Sequence, residues 1–105
     1  MVVFTVSTPD IEHVRSTCVS SQKPLRISLF PAKQKRKFIL LCMIMHEIEP
    51  NRMYTEKEIN EVIKPIYHDY VTIRRALVDY RFIDRKADGS SYWLIANPMN
   101  YLAYQ

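Results

Sequence analysis

Glycine is almost missing from this chain: Gly89 is the only one in 105 residues. That excludes the phosphate-cradling loops and the dinucleotide fingerprint, which need several glycines so that backbone amides can approach a phosphate closely. A nucleophile elbow with Ser-His-Asp partners and an HExxH helix are also lacking. No enzyme and no cofactor are therefore expected. Two cysteines, Cys18 and Cys42, are too few for a disulfide framework, and a cytosol would keep them reduced. No apolar run approaches the roughly 20 residues that span a bilayer, and Met1-Val2-Val3-Phe4-Thr5-Val6 has no basic flank of a secretory leader. The expectation is a cytoplasmic protein without a membrane partner.

What the chain does have is apolar bulk. Hydrophobic residues make up 48% of it, which argues against disorder, and its length suits one domain. The net charge of +4 and pI near 9.2 permit a nucleic-acid partner without demanding one. The charges are unevenly spread. Glu47, Glu49, Glu56, Glu58 and Glu61 crowd the middle, with Lys33, Lys35, Arg36 and Lys37 before them and Arg74, Arg75, Arg81, Arg85 and Lys86 after. One acidic and one basic side of a folded body would result.

Residues 1–29 are expected to form an extension. Val2–Val6 reads as a strand, and Thr8 as the N-cap of a short amphipathic helix from Pro9 to about Val19, with Ile11, Val14 and Cys18 at helical spacing. Ser20–Pro24 reads as a loop and Arg26–Phe30 as extended chain. A core helix should follow from about Ala32 to Ile48. Its stretch Phe38–Met45 is apolar at eight consecutive positions, enough to cover every side of a helix, so more than one neighbour must enclose it. The extension or a second copy of the chain would supply that cover.

Pro50-Asn51-Arg52 is a turn, and Met53-Tyr54 can form a stub of strand. Thr55-Glu56-Lys57-Glu58 is a capping box, opening a helix whose buried stripe is Ile59, Val62, Ile63 and Ile66 and which Pro65 ends near Lys64. Asp69 is the expected N-cap of the next helix, which runs to about Tyr80 with Tyr70, Ile73, Ala76, Leu77 and Tyr80 on one face. His68-Asp69 is accordingly capping chemistry, not a catalytic pair. Next come Phe82–Lys86 and Ser91–Ile95, alternating in character around Ala87-Asp88-Gly89-Ser90. This is a β-hairpin whose tip needs a positive φ, with Trp93 as its core anchor. Met99–Gln105 is a tail whose Tyr101, Leu102 and Tyr104 suit docking.

Helix, helix, turn and hairpin in that order describe an α+β fold, a winged helix-turn-helix. A three-helix core and β-hairpin wing over residues 30–97 would carry the N-terminal extension and a tail over 98–105. From Leu29 to Trp93 the sequence also resembles a bacterial winged-helix family catalogued as domain of unknown function two-zero-eight-seven. The resemblance lies in Phe30–Lys37, Tyr54–Asn60, His68-Asp69-Tyr70, Arg74–Tyr80, Asp84-Arg85, Gly89 and Tyr92-Trp93. It implies a likeness to transcriptional regulators, in some of which this domain follows a separate DNA-binding helix-turn-helix.

The leading functional expectation is a regulator that binds duplex DNA, as a homodimer, through the helix from Asp69 to Tyr80. Thr72, Arg74 and Arg75 would face DNA there, with Lys33, Lys35, Arg36, Arg85 and Lys86 supplying phosphate or wing contacts. Set against this, Asp79 opposes phosphate, and Val71 and Val78 would be exposed apolar groups. The alternative is a dimerisation or protein-interaction module that uses the apolar helix Phe38–Met45 and the aromatic tail. Cys42 and His46 lie four apart on a helix, with His13 and Cys18 able to approach. The spacing is not that of a zinc finger, and no metal is expected.

Overall fold

Helix α1 (Thr8–Cys18) begins at a capping box, its N-cap one residue ahead of the expected Thr8. Ser7 is the N-cap: its Oγ accepts from the Asp10 amide at 3.3 Å, and its own amide donates to Asp10 Oδ2 at 2.9 Å. The structure, a computed structural model, describes residues 4–105. The strand expected over Val2–Val6 lies partly outside the described residues, and Phe4–Val6 is irregular chain. There the Phe4 ring packs on Phe38 with centroids 5.2 Å apart.

Asp10 also receives Lys35 Nζ at 2.9 Å, which ties α1 to the start of α2 (Gln34–Met45). The lysine, followed by the Ser7 donors, lowers the Asp10 carboxyl from 3.8 to about 2. A carboxyl depressed by folding stabilises fully above its ordinary value and loses that contribution as pH falls through the folded one. Stability is thus expected to decline between pH 3.8 and about 2 partly through Asp10. Asp10→Asn should flatten this stretch of a profile of urea midpoint against pH.

The loop expected over Ser20–Pro24 is instead a hairpin of β1 (Val19–Gln22) and β2 (Leu25–Ile27), closed by Lys23-Pro24. The polar Ser-Ser-Gln composition reads as a loop because β1 buries little of its own. Its pairing holds Leu25 and Ile27 in the core, and the Ile27 amide donates to the Ile66 carbonyl at 2.8 Å. Helix α2 is shorter than expected at both ends. Ile39–Met45 are all buried, enclosed on one side by Ile11, Val14 and Cys18 of α1 and elsewhere by α4 and the C-terminal segment. Within the chain the extension is part of this helix's cover, and of the apolar run only Phe38 stays partly exposed.

Asn51 takes the turn at φ +61°. Tyr54 and Tyr92 then exchange backbone hydrogen bonds, each 2.8 Å, fixing the stub of strand against the later hairpin. The Thr55–Glu58 capping box opens α3 (Glu56–Ile63), with Glu58 accepting the Thr55 amide at 2.8 Å and Thr55 Oγ1 accepting the Glu58 amide at 3.1 Å. Asp69 caps α4 (Tyr70–Asp79) as its position predicts. No glycine is present to end α4. Arg81 instead adopts φ +65°, while the Phe82 amide donates to Leu77 O at 2.9 Å and the Arg81 amide to Val78 O at 3.1 Å. This is a Schellman ending with arginine where glycine is favoured, and both residues that its outer bond joins, Leu77 and Phe82, are buried in the core.

Strands β3 (Ile83–Arg85) and β4 (Tyr92–Leu94) pair antiparallel, with Asp84 opposite Trp93 and Arg85 opposite Tyr92. Gly89 has the positive φ that the tip requires, +74°. Trp93 is only half-buried, contrary to expectation. The register turns Tyr92 inward, 1% exposed, and makes it the hairpin's anchor. The tail docks as a 3₁₀ segment (Pro98–Tyr104). Tyr101 and Tyr104 pack on Phe38 at 6.4 and 6.3 Å, His46 Nε2 meets the Tyr101 carbonyl at 2.7 Å, and Arg15 Nη2 donates to Gln105 O at 2.8 Å. Among the described residues the fold is mixed α+β, with four α-helices, one 3₁₀ helix and two two-stranded antiparallel sheets. No described helix is long and apolar enough to cross a membrane.

Candidate nucleic-acid interface

Helix α4 carries a buried stripe of Ile73 and Leu77 and turns Val71, Thr72, Arg75 and Asp79 to solvent. Its exposed side borders the β3–β4 hairpin, and between them runs a groove of about 330 Å³ lined by Arg74, Arg75, Val78, Asp79, Arg85 and Tyr92. Three of the eight residues nominated from sequence meet here, but they do not have the same freedom.

Arg74 is 12% exposed and fully engaged. Its Nη1 donates to Asn60 Oδ1, Nη2 lies 3.4 Å from Glu56 Oε1, and the guanidinium sits 5.7 Å from the centre of the Tyr92 ring. Glu56 lies beside the hairpin tip too, since a Cβ on Gly89 would fall 3.6 Å from its Oε2. Arg74 therefore clamps α3, α4 and the hairpin together, and little of this nominated residue is left at the surface. The partners Asn60 and Glu56 could not be named from sequence, because they approach from another helix. By contrast, Arg75 and Arg85 are exposed and make no ion pair with any described residue.

Thr72 sits at the start of α4 with its chemistry partly committed. Its hydroxyl donates to Asp69 Oδ2 at 2.7 Å and its amide to Oδ1 at 3.3 Å, and these two bonds hold the Asp69 carboxyl below its ordinary range. Lys86 is exposed at the hairpin, where its amide donates to Ser91 O at 3.0 Å. The remaining nominees form a second group. Lys33, Lys35 and Arg36 line a groove of about 230 Å³ between the start of α2 and α1, together with Asp10, His13 and Ile39. Lys35 is paired there with Asp10, whereas Lys33 is exposed and Arg36 partly so.

The two groups are linked through the end of α4. Gln34, within the basic run, shares a cavity with Asp79, Tyr80 and Arg81, and Asp79 also lines the α4–hairpin groove. Arg81 lies outside the eight residues nominated from sequence, although its position directly after the expected helix end is a visible signal.

The family described as "Uncharacterized protein conserved in bacteria" (DUF2087) matches residues 26–94. The chain belongs to that family. The DUF2087 match runs from β2 through β4 and so contains the whole α4–hairpin groove, leaving α1 and the C-terminal segment outside it. No curated protein and no solved structure matches the chain.

Cys42 and His46 have separate surroundings. The Cys42 thiol is fully buried, which pushes its pKa far up, and His46 is engaged with the Tyr101 carbonyl. Among the described residues no group of three or more His, Cys, Asp or Glu side chains could hold a metal ion.

Proposed function

We propose that this protein is a small winged-helix regulator that binds duplex DNA, with α4 at the major groove and the β3–β4 hairpin as the wing. The observation that carries the proposal is the meeting of Arg75 and Arg85 in one groove, one from the helix and one from the hairpin, both exposed and both unpaired among the described residues. Support comes from the order of elements: α2, the Tyr54 stub, α3, α4 and a hairpin whose Tyr92 bonds back to Tyr54. Arginine forks suit both phosphate oxygens and the edge of guanine. Lys33, Arg36 and Lys86 add exposed or partly exposed charge for backbone contact. Thr72 would meet a base edge as an acceptor, because its hydroxyl proton is held by Asp69.

A mobility-shift titration of the protein on mixed-sequence duplex DNA at ~50 and ~200 mM salt tests the proposal. Four or five free cations at phosphates predict a slope of log affinity against log salt steeper than about −3. Absence of binding at the lower salt concentration would end this reading.

A further inference from the structure

We propose that the cavity between the start of α2, the end of α4 and the C-terminal segment binds a zwitterionic small molecule, an amino acid with an apolar side chain. The cavity measures about 560 Å³, within the range of small-molecule sites. Phe4, Phe38 and Tyr101 give its lining aromatic surface. Phe38 is itself braced by Phe82 at 5.7 Å, so the wall is in place before any ligand arrives. Gln34, Asp79 and Arg81 also line it.

The charges decide the ligand class. Asp79 and Arg81 stand two residues apart at the end of α4 and line the same cavity, yet among the described residues neither side chain forms an ion pair. Arg81 occupies a backbone position at φ +65° that glycine would adopt without strain. Glycine would therefore serve the backbone there, and the exposed Arg81, one of the residues that line the cavity, has a guanidinium that no described carboxylate pairs. A simple carboxylate or phosphate would satisfy Arg81 but meet repulsion from Asp79, and a simple amine would face the reverse. A molecule with a carboxylate for Arg81, an ammonium for Asp79 and an apolar side chain for Phe38 and Tyr101 matches all three features.

Isothermal titration calorimetry on the whole chain, without DNA, tests this apart from the reading of the α4–hairpin groove. The probes are L-phenylalanine, L-leucine, L-phenylalaninamide, which lacks the carboxylate, and 3-phenylpropionate, which lacks the ammonium. At least one of the two amino acids is expected to bind saturably with Kd below ~1 mM, and for phenylalanine both analogues should be at least tenfold weaker. Arg81→Gly, which suits the backbone at that position, and Asp79→Asn should each weaken amino-acid binding at least tenfold. No saturable heat with either amino acid, equal binding of phenylalanine and its analogues, or unchanged affinity in both variants would overturn the proposal.

Discussion

Replacing Arg75 and Arg85 together with alanine is expected to lower affinity for mixed duplex DNA at least tenfold and to make its salt dependence shallower by about 2 units of log–log slope. Each cation that neutralises a phosphate releases condensed counterions and contributes about 0.9 to that slope, so the slope reports how many phosphates the protein engages. The pair is chosen because both side chains are exposed in one groove and neither supports the fold through an ion pair among the described residues. Unfolding would not then masquerade as weaker binding. Arg74 would be a poor choice: it is 12% exposed and tied to Glu56, and Asn60 accepts from it, so its removal would loosen α3, α4 and the hairpin at once. Unchanged affinity and slope in the Arg75/Arg85 double variant, measured by mobility shift or fluorescence anisotropy, would remove the groove from the proposed interface.

Val14→Asp is expected to cost more than about 3 kcal/mol, a large share of the roughly 5–15 kcal/mol that holds a typical domain together. Val14 is 0% exposed and belongs to the layer of α1 that covers α2. A carboxylate placed there leaves water and finds no partner, since the surrounding buried residues are apolar. Val14→Ala removes only methyl groups and their packing, and about 1–3 kcal/mol is expected for it. Urea denaturation followed by far-ultraviolet circular dichroism measures both. If α1 were a detachable appendage, the aspartate would shift stability by less than about 0.5 kcal/mol, as an exposed substitution does. That result would also leave the apolar girth of α2 without its cover.

Much of α3, α4 and the second hairpin is legible because their ends are decided within four residues. Thr55 and Glu58 cap each other, Asp69 caps the Thr72 amide of α4, and Gly89 takes the positive φ at the tip. These bonds close through short loops of chain and hardly depend on what packs nearby. Where the local cue is weak, the sequence misleads. Polar Ser20-Ser21-Gln22 looks like a loop but forms β1, because its partner β2 buries Leu25 and Ile27. Thr8 looks as good a cap as Ser7, but the Asp10 carboxylate that completes the box reaches the Ser7 amide. The family resemblance is legible as well, carried by motifs that fall within the matched residues 26–94.

The candidate site divides along the same line. From the sequence alone came the helix, the hairpin, the capping residues and a set of basic side chains near them, since periodicity and caps act over a few bonds. Only tertiary packing separated Arg74 from its neighbour Arg75. One step along a helix turns a side chain by about 100°, enough to press Arg74 against Glu56, Asn60 and Tyr92 while Arg75 stays in water. Tertiary packing likewise chose Tyr92 over Trp93 as anchor and brought Arg81, Asp79 and Gln34 around one cavity. Those outcomes depend on partners many residues away, whose approach a local pattern does not encode.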